Sequence, residues 1–368
     1  MWFKRMSLED WFETYQYSIN YDIGESAIKY KTFGHMEIDL SDLKLRYGHH
    51  IGRADLRALI ANSYEGLEVD DILVTTGASE ANFCIVTALV KPGDHVIIEH
   101  PNYTSLYDVP RGLGCDVSFF SLNFENQFKP DISQLEKLIK PNTRLISLTH
   151  PNNPTGSMIS EKELRAAIEI AEKHDIYLMF DETYRDLSFG KPLPPAVSLS
   201  DKVISISSMS KSFGLPGIRI GWLATRDRYI LDQVLTVKEH YTITNSIVGE
   251  EIAVRVLEKG DEYIKNARKH TLKNFNLVKA WMAEQKAIEW VEPEAGVVSL
   301  PRIKADVNIV PEELYRLVVE KYRTFLIPGR CFEMDNRYFR LGYGSGYDEV
   351  KTGLENFSEA VDELLSRA

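Results

Sequence analysis

From about residue 70 onward, apolar runs alternate with turn signals. Ile72–Thr75 is a short apolar run ending at Gly77, and the spacing of apolar positions over Ala78–Val90 predicts a helix stopped by Lys91-Pro92-Gly93. The same pattern predicts strands at His95–Glu99, Asp116–Ser121, Arg144–Thr149, Tyr177–Phe180 and Val203–Ser207. Helices are predicted around Tyr103–Leu113, Ile132–Ile139 and Glu161–Lys173. The strands are largely apolar at every position rather than every second one. Such strands are buried on both faces, so the expected fold is α/β, with a mostly parallel sheet between helices.

After about residue 230 the pattern changes. A long helical stretch, interrupted near Lys259-Gly260, runs to about Lys286, and the tail from Ile288 to Ala368 mixes short strands (VVSLP, TFLIP, YFRLGY) with helices. The first 45 residues fit neither series and are expected to pack with the tail. The expected division is a large domain over 46–270 and a small α+β domain built from 1–45 and 271–368. No internal repeat or low-complexity linker separates them.

Composition narrows the function classes. Of 368 residues, 44% are hydrophobic and 26% charged, which suits a globular chain with a large core and excludes a disordered or collagen-like one. Lys and Arg number 43 against 54 Asp and Glu, a net charge of −11, so nucleic acid is not an expected partner. Cys84, Cys115 and Cys331 are far apart, with no CxxC or Cys/His cluster to ligate a structural metal. The opening MWFKRMSLEDWF has no apolar core of a signal peptide, and no apolar run could span a bilayer. The expectation is a cytosolic location with no membrane partner.

The candidate chemistry sits just after the apolar strands, where open α/β sheets place their ligands. Ser208-Met209-Ser210-Lys211 follows VISIS, and Arg219 lies eight residues beyond Lys211. Two hydroxyls and a planar guanidinium make a cradle for a dianion. Asp181 follows IYLMF, thirty residues before Lys211. It either caps a turn or pairs with a cationic ring nitrogen inside the fold. An Asp facing a pyridinium, with a Lys able to form a Schiff base, is the arrangement of pyridoxal phosphate chemistry. His150-Pro151-Asn152-Asn153-Pro154-Thr155-Gly156 leaves the strand RLISLT on the same rim, where an Asn could donate to a phenolate oxygen. Thr76-Gly77-Ala78-Ser79 opens a helix whose free N–H groups suit a phosphate.

The set TGASEAN, HPNY, PNNPTG, DETY, SMSKSFGLPGIRIGW and YFRLGY resembles the fold-type I, pyridoxal-phosphate-dependent class I/II aminotransferases, with the motifs in the family's order from about Tyr47 to Arg340. The resemblance implies a fold-type I transferase with a seven-stranded sheet, pyridoxal 5′-phosphate as cofactor, and amino acid and keto acid substrates. It implies that Lys211 forms the Schiff base and moves the Cα proton, in a ping-pong reaction through the amine form of the cofactor. Asp181 would keep the ring nitrogen protonated, Asn153 and Tyr184 would bond the ring oxygen, and Tyr103 would stack on the ring. Ala78, Ser79, Ser208 and Arg219 would hold the phosphate. Tyr47 matches a tyrosine that reaches the phosphate of the neighbouring subunit, which implies a homodimer with shared sites. Arg340 would fork onto the substrate α-carboxylate, with Asn153 beside it and Gly24 in the segment that closes over it.

LEDWF, KTFGHM, GLPGIRIGW, GVVSLPR and IPGRCF also resemble the capreomycidine synthase branch, which cyclises a hydroxylated arginine. Where the aminotransferases carry a Gly-x-Pro-Asp-like turn, this chain has Gly24-Glu25-Ser26. Two other classes fit less well. A pyridoxal-phosphate sensor of a transcription regulator wants a basic DNA-binding domain ahead of the large one. A dinucleotide site would rest on Gly342-Tyr343-Gly344-Ser345-Gly346, which has Tyr347 at the final glycine position.

Overall fold

A computed structural model describes residues 2–367 of the chain. Seven strands form the central sheet: β1 Ile72–Thr75, β2 His95–His100, β3 Asp116–Ser121, β4 Thr143–Thr149, β5 Tyr177–Asp181, β6 Val203–Ser208 and β7 Gly221–Ala224. Their order is β1-β7-β6-β5-β4-β2-β3. All neighbours pair parallel except β7, which runs antiparallel to both β1 and β6. The fold is therefore the mostly parallel α/β architecture read from the apolar runs.

Side chains alternate across a strand, and β5 shows why its run is apolar throughout. Leu178 and Phe180 join the apolar cluster on one face of the sheet, and Met179 joins the cluster on the other. Leu178, Met179 and Phe180 are all buried, and only the end residues Tyr177 and Asp181 keep partial exposure.

Strand β7 is the element that the apolar pattern does not mark. It has only four residues and opens on a glycine. That glycine is required, because a Cβ on Gly221 would lie 2.5 Å from the carbonyl carbon of Gly77. Two helical expectations also change. Ile132–Ile139 is one α-turn, Ile132–Leu135, followed by the 3₁₀ turn Glu136–Leu138, with the backbone extended at Ile139. The stretch after 230 breaks at 242–246 as well as near Gly260. It forms Arg228–Tyr241 capped by Asp227, then Ile247–Leu257 capped by Ser246.

The first 31 residues and the tail meet. Helix α1, Ser7–Tyr15, sends the Trp11 indole N–H to Leu326 O (2.8 Å), and the two-residue strand Tyr21–Asp22 pairs parallel with Thr324–Phe325. A second apolar cluster joins Ile23 and Ile28 to Phe275, Leu326, Leu341 and Phe357. The 25-residue helix Gly260–Glu284 carries Phe275, Val278 and Met282 into it, while its Tyr263 and Ile264 pack on the sheet cluster. This one helix ties the two cores together.

Residues 24–31 then form a strap across the rim of the sheet. Ile28 N–H donates to Lys211 O (3.3 Å), Lys29 N–H to Gly344 O (2.7 Å) and Lys31 N–H to Gly214 O (3.1 Å). The strap lies so close to Gly344 that a Cβ there would fall 1.8 Å from Ala27 O. Gly344→Ala is expected to cost about 1–3 kcal/mol, the usual range for overpacking against backbone that cannot rotate away. A denaturation midpoint equal to wild type would contradict the close approach.

Candidate active site

The C-terminal ends of three adjacent strands, β4, β5 and β6, deliver Asn153, Asp181 and Lys211 to one cavity of about 660 Å³. Ala78, Ser79, Tyr103, Tyr184, Ser208, Arg219 and Arg340 line the same cavity. Gly24 does not line it; its carbonyl backs the lining residue Arg340, accepting from Nε (3.0 Å) and Nη2 (2.7 Å). Tyr47 is not brought in: it stands 84% exposed, outside the cavity of its own chain.

One end of the cavity is an anion cradle. Helix α2, Gly77–Leu89, opens on Gly77 at φ +75°, and a Cβ there would sit 2.7 Å from Arg219 Nη2. The missing side chain lets the guanidinium lie against the helix N-terminus, so its charge and the free N–H groups face the same space. Arg219 itself holds a left-handed backbone, φ +53°, an uncommon state for a side-chain-bearing residue that tends to occur at functional sites. Ser79 and Ser208 add hydroxyls.

Asp181 closes the floor. Its Oδ1 accepts from Thr183 N–H (2.9 Å) and from the Thr183 hydroxyl (2.6 Å). Among the described residues no protein group bonds its second oxygen. Burial pushes this carboxyl above the usual carboxylate range, although the Thr183 bonds and Lys211 pull the other way. A cationic N–H arriving at the open oxygen would supply the partner that the carboxylate lacks.

Arg340, 1% exposed, is the opposite wall. Three of its five N–H bonds are taken, two by Gly24 O and one by Asn153 Oδ1 (3.1 Å from Nη1). One N–H on each of Nη1 and Nη2 remains, and this pair is the fork that matches a carboxylate. Since Asn153 accepts through Oδ1, its amide N–H groups remain available as donors. Tyr184 differs from the expectation in one respect: it gives its hydroxyl proton to Ser26 O (2.8 Å), so toward a ring oxygen it has no proton left to donate. The Tyr103 hydroxyl donates to Glu9 Oε1 (2.9 Å).

The cavity also contains residues that strand-end reasoning passes over. Glu9, Phe12 and Glu13 reach it from α1, and Glu25, Ser26 and Tyr30 from the strap. The amine of Lys211 lies 3.0 Å from Ser26 Oγ and 3.4 Å from Glu25 Oε1. Burial raises the Glu25 carboxyl, but Lys211 and then Arg340 outweigh it and hold the group down at about 2. Burial works against the Lys211 charge, while Tyr184 and Glu25 outweigh it and hold the ammonium above its ordinary value. The amphipathic spacing of Leu8, Trp11, Phe12 and Tyr15 was the available signal for α1, and Glu9 and Glu13 are its i, i+4 pair on the cavity side.

No helix of the described residues is long and apolar enough to cross a membrane, and among them no His, Cys, Asp or Glu cluster could hold a metal ion. The model of the aminotransferase class I and II family matches residues 30–357. Capreomycidine synthase of Streptomyces vinaceus is 28% identical over 366 residues, covering 96% of this chain and 93% of that protein. A pyridoxal-phosphate-dependent aminotransferase from Streptococcus suis superposes with a TM-score of 0.93 at 30% identity, covering 99% of each chain. The pyridoxal-phosphate-dependent cyclase OrfR superposes with a TM-score of 0.90 at 28% identity, covering 100% of this chain and 99% of that one. An anion cradle, an open buried carboxylate and a lysine amine in one cavity fit the phosphate, ring nitrogen and aldehyde of one cofactor, and with the family match they place this chain in the aminotransferase class I and II family of fold-type I, pyridoxal 5′-phosphate-dependent enzymes.

Proposed function

We propose that the protein is an aminotransferase acting on an L-amino acid, working as a cytosolic homodimer. The observation that carries this reading is the convergence of Lys211, Asp181 and the free fork of Arg340 on one cavity beside the Arg219 cradle. Bound pyridoxal phosphate supplies an aldehyde for amines and a cationic ring that withdraws electrons. Arg219, Ser79, Ser208 and the first turn of α2, including Ala78, hold the phosphate. The open oxygen of Asp181 takes the ring N–H, an Asn153 amide N–H the ring oxygen, and Tyr103 covers the ring face. Arg340 grips the substrate α-carboxylate and so fixes the Cα–H bond toward Lys211 Nζ. Lys211 Nζ takes that proton and returns it. Positioning of this kind accounts for much of the barrier reduction. Tyr47 and Leu45, 84% and 80% exposed, would be covered by the second subunit, with Tyr47 reaching that subunit's phosphate. The domain division belongs to the same reading: 46–270 holds the cofactor cradle, and 1–45 with 271–368 holds the carboxylate fork.

A second reading is a cyclase or β-eliminating enzyme. It is favoured by the similarity to capreomycidine synthase and by the carboxylates of Glu9, Glu13 and Glu25 on the cavity wall, which would suit a substrate with a cationic side chain. One single-turnover experiment separates the two. The loaded enzyme is mixed with a panel of amino acids, including arginine and hydroxylated arginine, with no keto acid present. Transamination yields one equivalent of keto acid and then stops. Sustained product from one amino acid, with the cofactor's spectrum regained, overturns it in favour of the second reading.

A further inference from the structure

The strap does more than roof the cavity. Glu25 is held from several directions: Ser26 N–H donates to Oε1 (2.6 Å), the Ser26 hydroxyl lies 3.4 Å from the same oxygen, and the Tyr30 hydroxyl donates to Oε2 (2.9 Å). The turn that presents it is fixed in its own right, because Asp22 Oδ1 accepts the N–H groups of Gly24 and Glu25, both at 2.8 Å. The amine of Lys211 touches both Ser26 Oγ and Glu25 Oε1. We propose that Glu25, fixed by Ser26 and Tyr30, is the counter-ion of the Lys211 nitrogen, a positioning residue that raises its affinity for a proton.

The other groups facing this nitrogen leave the task to Glu25. Asp181 and Tyr184 face it from the end of β5, and Arg340 from the strand Phe339–Gly342. Asp22 faces Glu25 rather than Lys211, and its own carboxyl is pushed up to about 6 by burial and by Glu25. Among the described residues Glu25 is the carboxylate paired with the Lys211 amine, whereas Asp181 makes its bonds to Thr183 and the Tyr184 proton goes to Ser26 O. Burial raises the Glu25 carboxyl, but Lys211 and Arg340 outweigh it, so the pair favours the carboxylate beside the ammonium. The sign is definite: a fixed anion beside an amine stabilises the protonated form, so removing the anion lowers the pH at which the nitrogen loses its proton.

This inference rests on Lys211 being the cofactor's lysine, and the experiment keeps the two claims apart. In the apoprotein, the ionisation of Lys211 is read from the pH dependence of its labelling by acetic anhydride, followed by mass spectrometry on the Lys211 peptide. Glu25→Gln is expected to move the midpoint down by about one to three pH units, Ser26→Ala and Tyr30→Phe by less in the same direction. In the loaded enzyme, the pH titration of the visible spectrum is expected to shift the same way. Tyr30 is half exposed, so Tyr30→Phe decides the matter if Glu25→Gln fails to fold. Cofactor found on a residue other than Lys211 in the wild type would refute the site assignment. Cofactor on Lys211 with unshifted midpoints in the variants would leave that assignment standing and overturn the counter-ion. Unshifted midpoints with weaker carboxylate binding would assign Glu25 to Arg340 instead, and also overturn it.

Discussion

Lys211→Ala is expected to abolish turnover and to leave no cofactor mass on the peptide spanning residue 211. Loss of proton transfer alone removes roughly 10²- to 10⁴-fold in rate, and loss of the attachment point adds to it. The fold should persist. The side-chain hydrogen bonds of Lys211 go to Ser26 and Glu25. Deleting a charged hydrogen-bonding partner costs about 1.5–3 kcal/mol, a fraction of the stability of an ordinary domain. The check is a circular dichroism spectrum matching wild type alongside an inactive protein. Normal turnover in the folded variant would remove Lys211 from the chemistry altogether.

Arg340→Ala should act chiefly on substrate affinity. It deletes the two N–H groups left for a carboxylate, a charge-assisted pair worth about 1.5–3 kcal/mol. At about 1.4 kcal/mol per decade, kcat/KM should fall roughly 10- to 150-fold. Arg340→Lys should recover little, because an ammonium keeps the charge and loses the planar fork. An amine substrate without the α-carboxylate is the control: its rate should hardly differ between wild type and variant. Equal losses for both substrates would mean that Arg340 merely supports Gly24 and Asn153, its two partners in the wall.

How far the sequence carried depended on where the residues lie. Asp181, Lys211 and Asn153 each follow a largely apolar run, and such strands in a parallel sheet end on a common rim. Their convergence was therefore legible before any coordinates. Arg219 was legible through its spacing from Lys211, but its nearness to Gly77 was not, since that contact depends on β7, a four-residue strand running against its neighbours. Glu25, Ser26 and Tyr30 lie in a segment with neither helical nor strand period. Their placement comes from backbone bonds to Gly214, Lys211 and Gly344, partners that local pattern does not reveal. The proton of Tyr184 shows the same limit: its position was readable, while its partner, a carbonyl on the strap, was not.

The strap also bears on synthesis. Gly24 and Arg340, which share two hydrogen bonds in the cavity wall, are separated by 316 residues. At a ribosomal rate of about 5–20 residues per second, roughly 15–60 s pass between the emergence of one and the emergence of the other. Until the tail emerges, Ile23 and Ile28 lack Leu326, Leu341 and Phe357 from their apolar cluster, and Glu25 lacks Arg340. A nascent chain can thus complete the central sheet while the Arg340 wall of the cavity is still missing, so the cavity closes only at the end of synthesis.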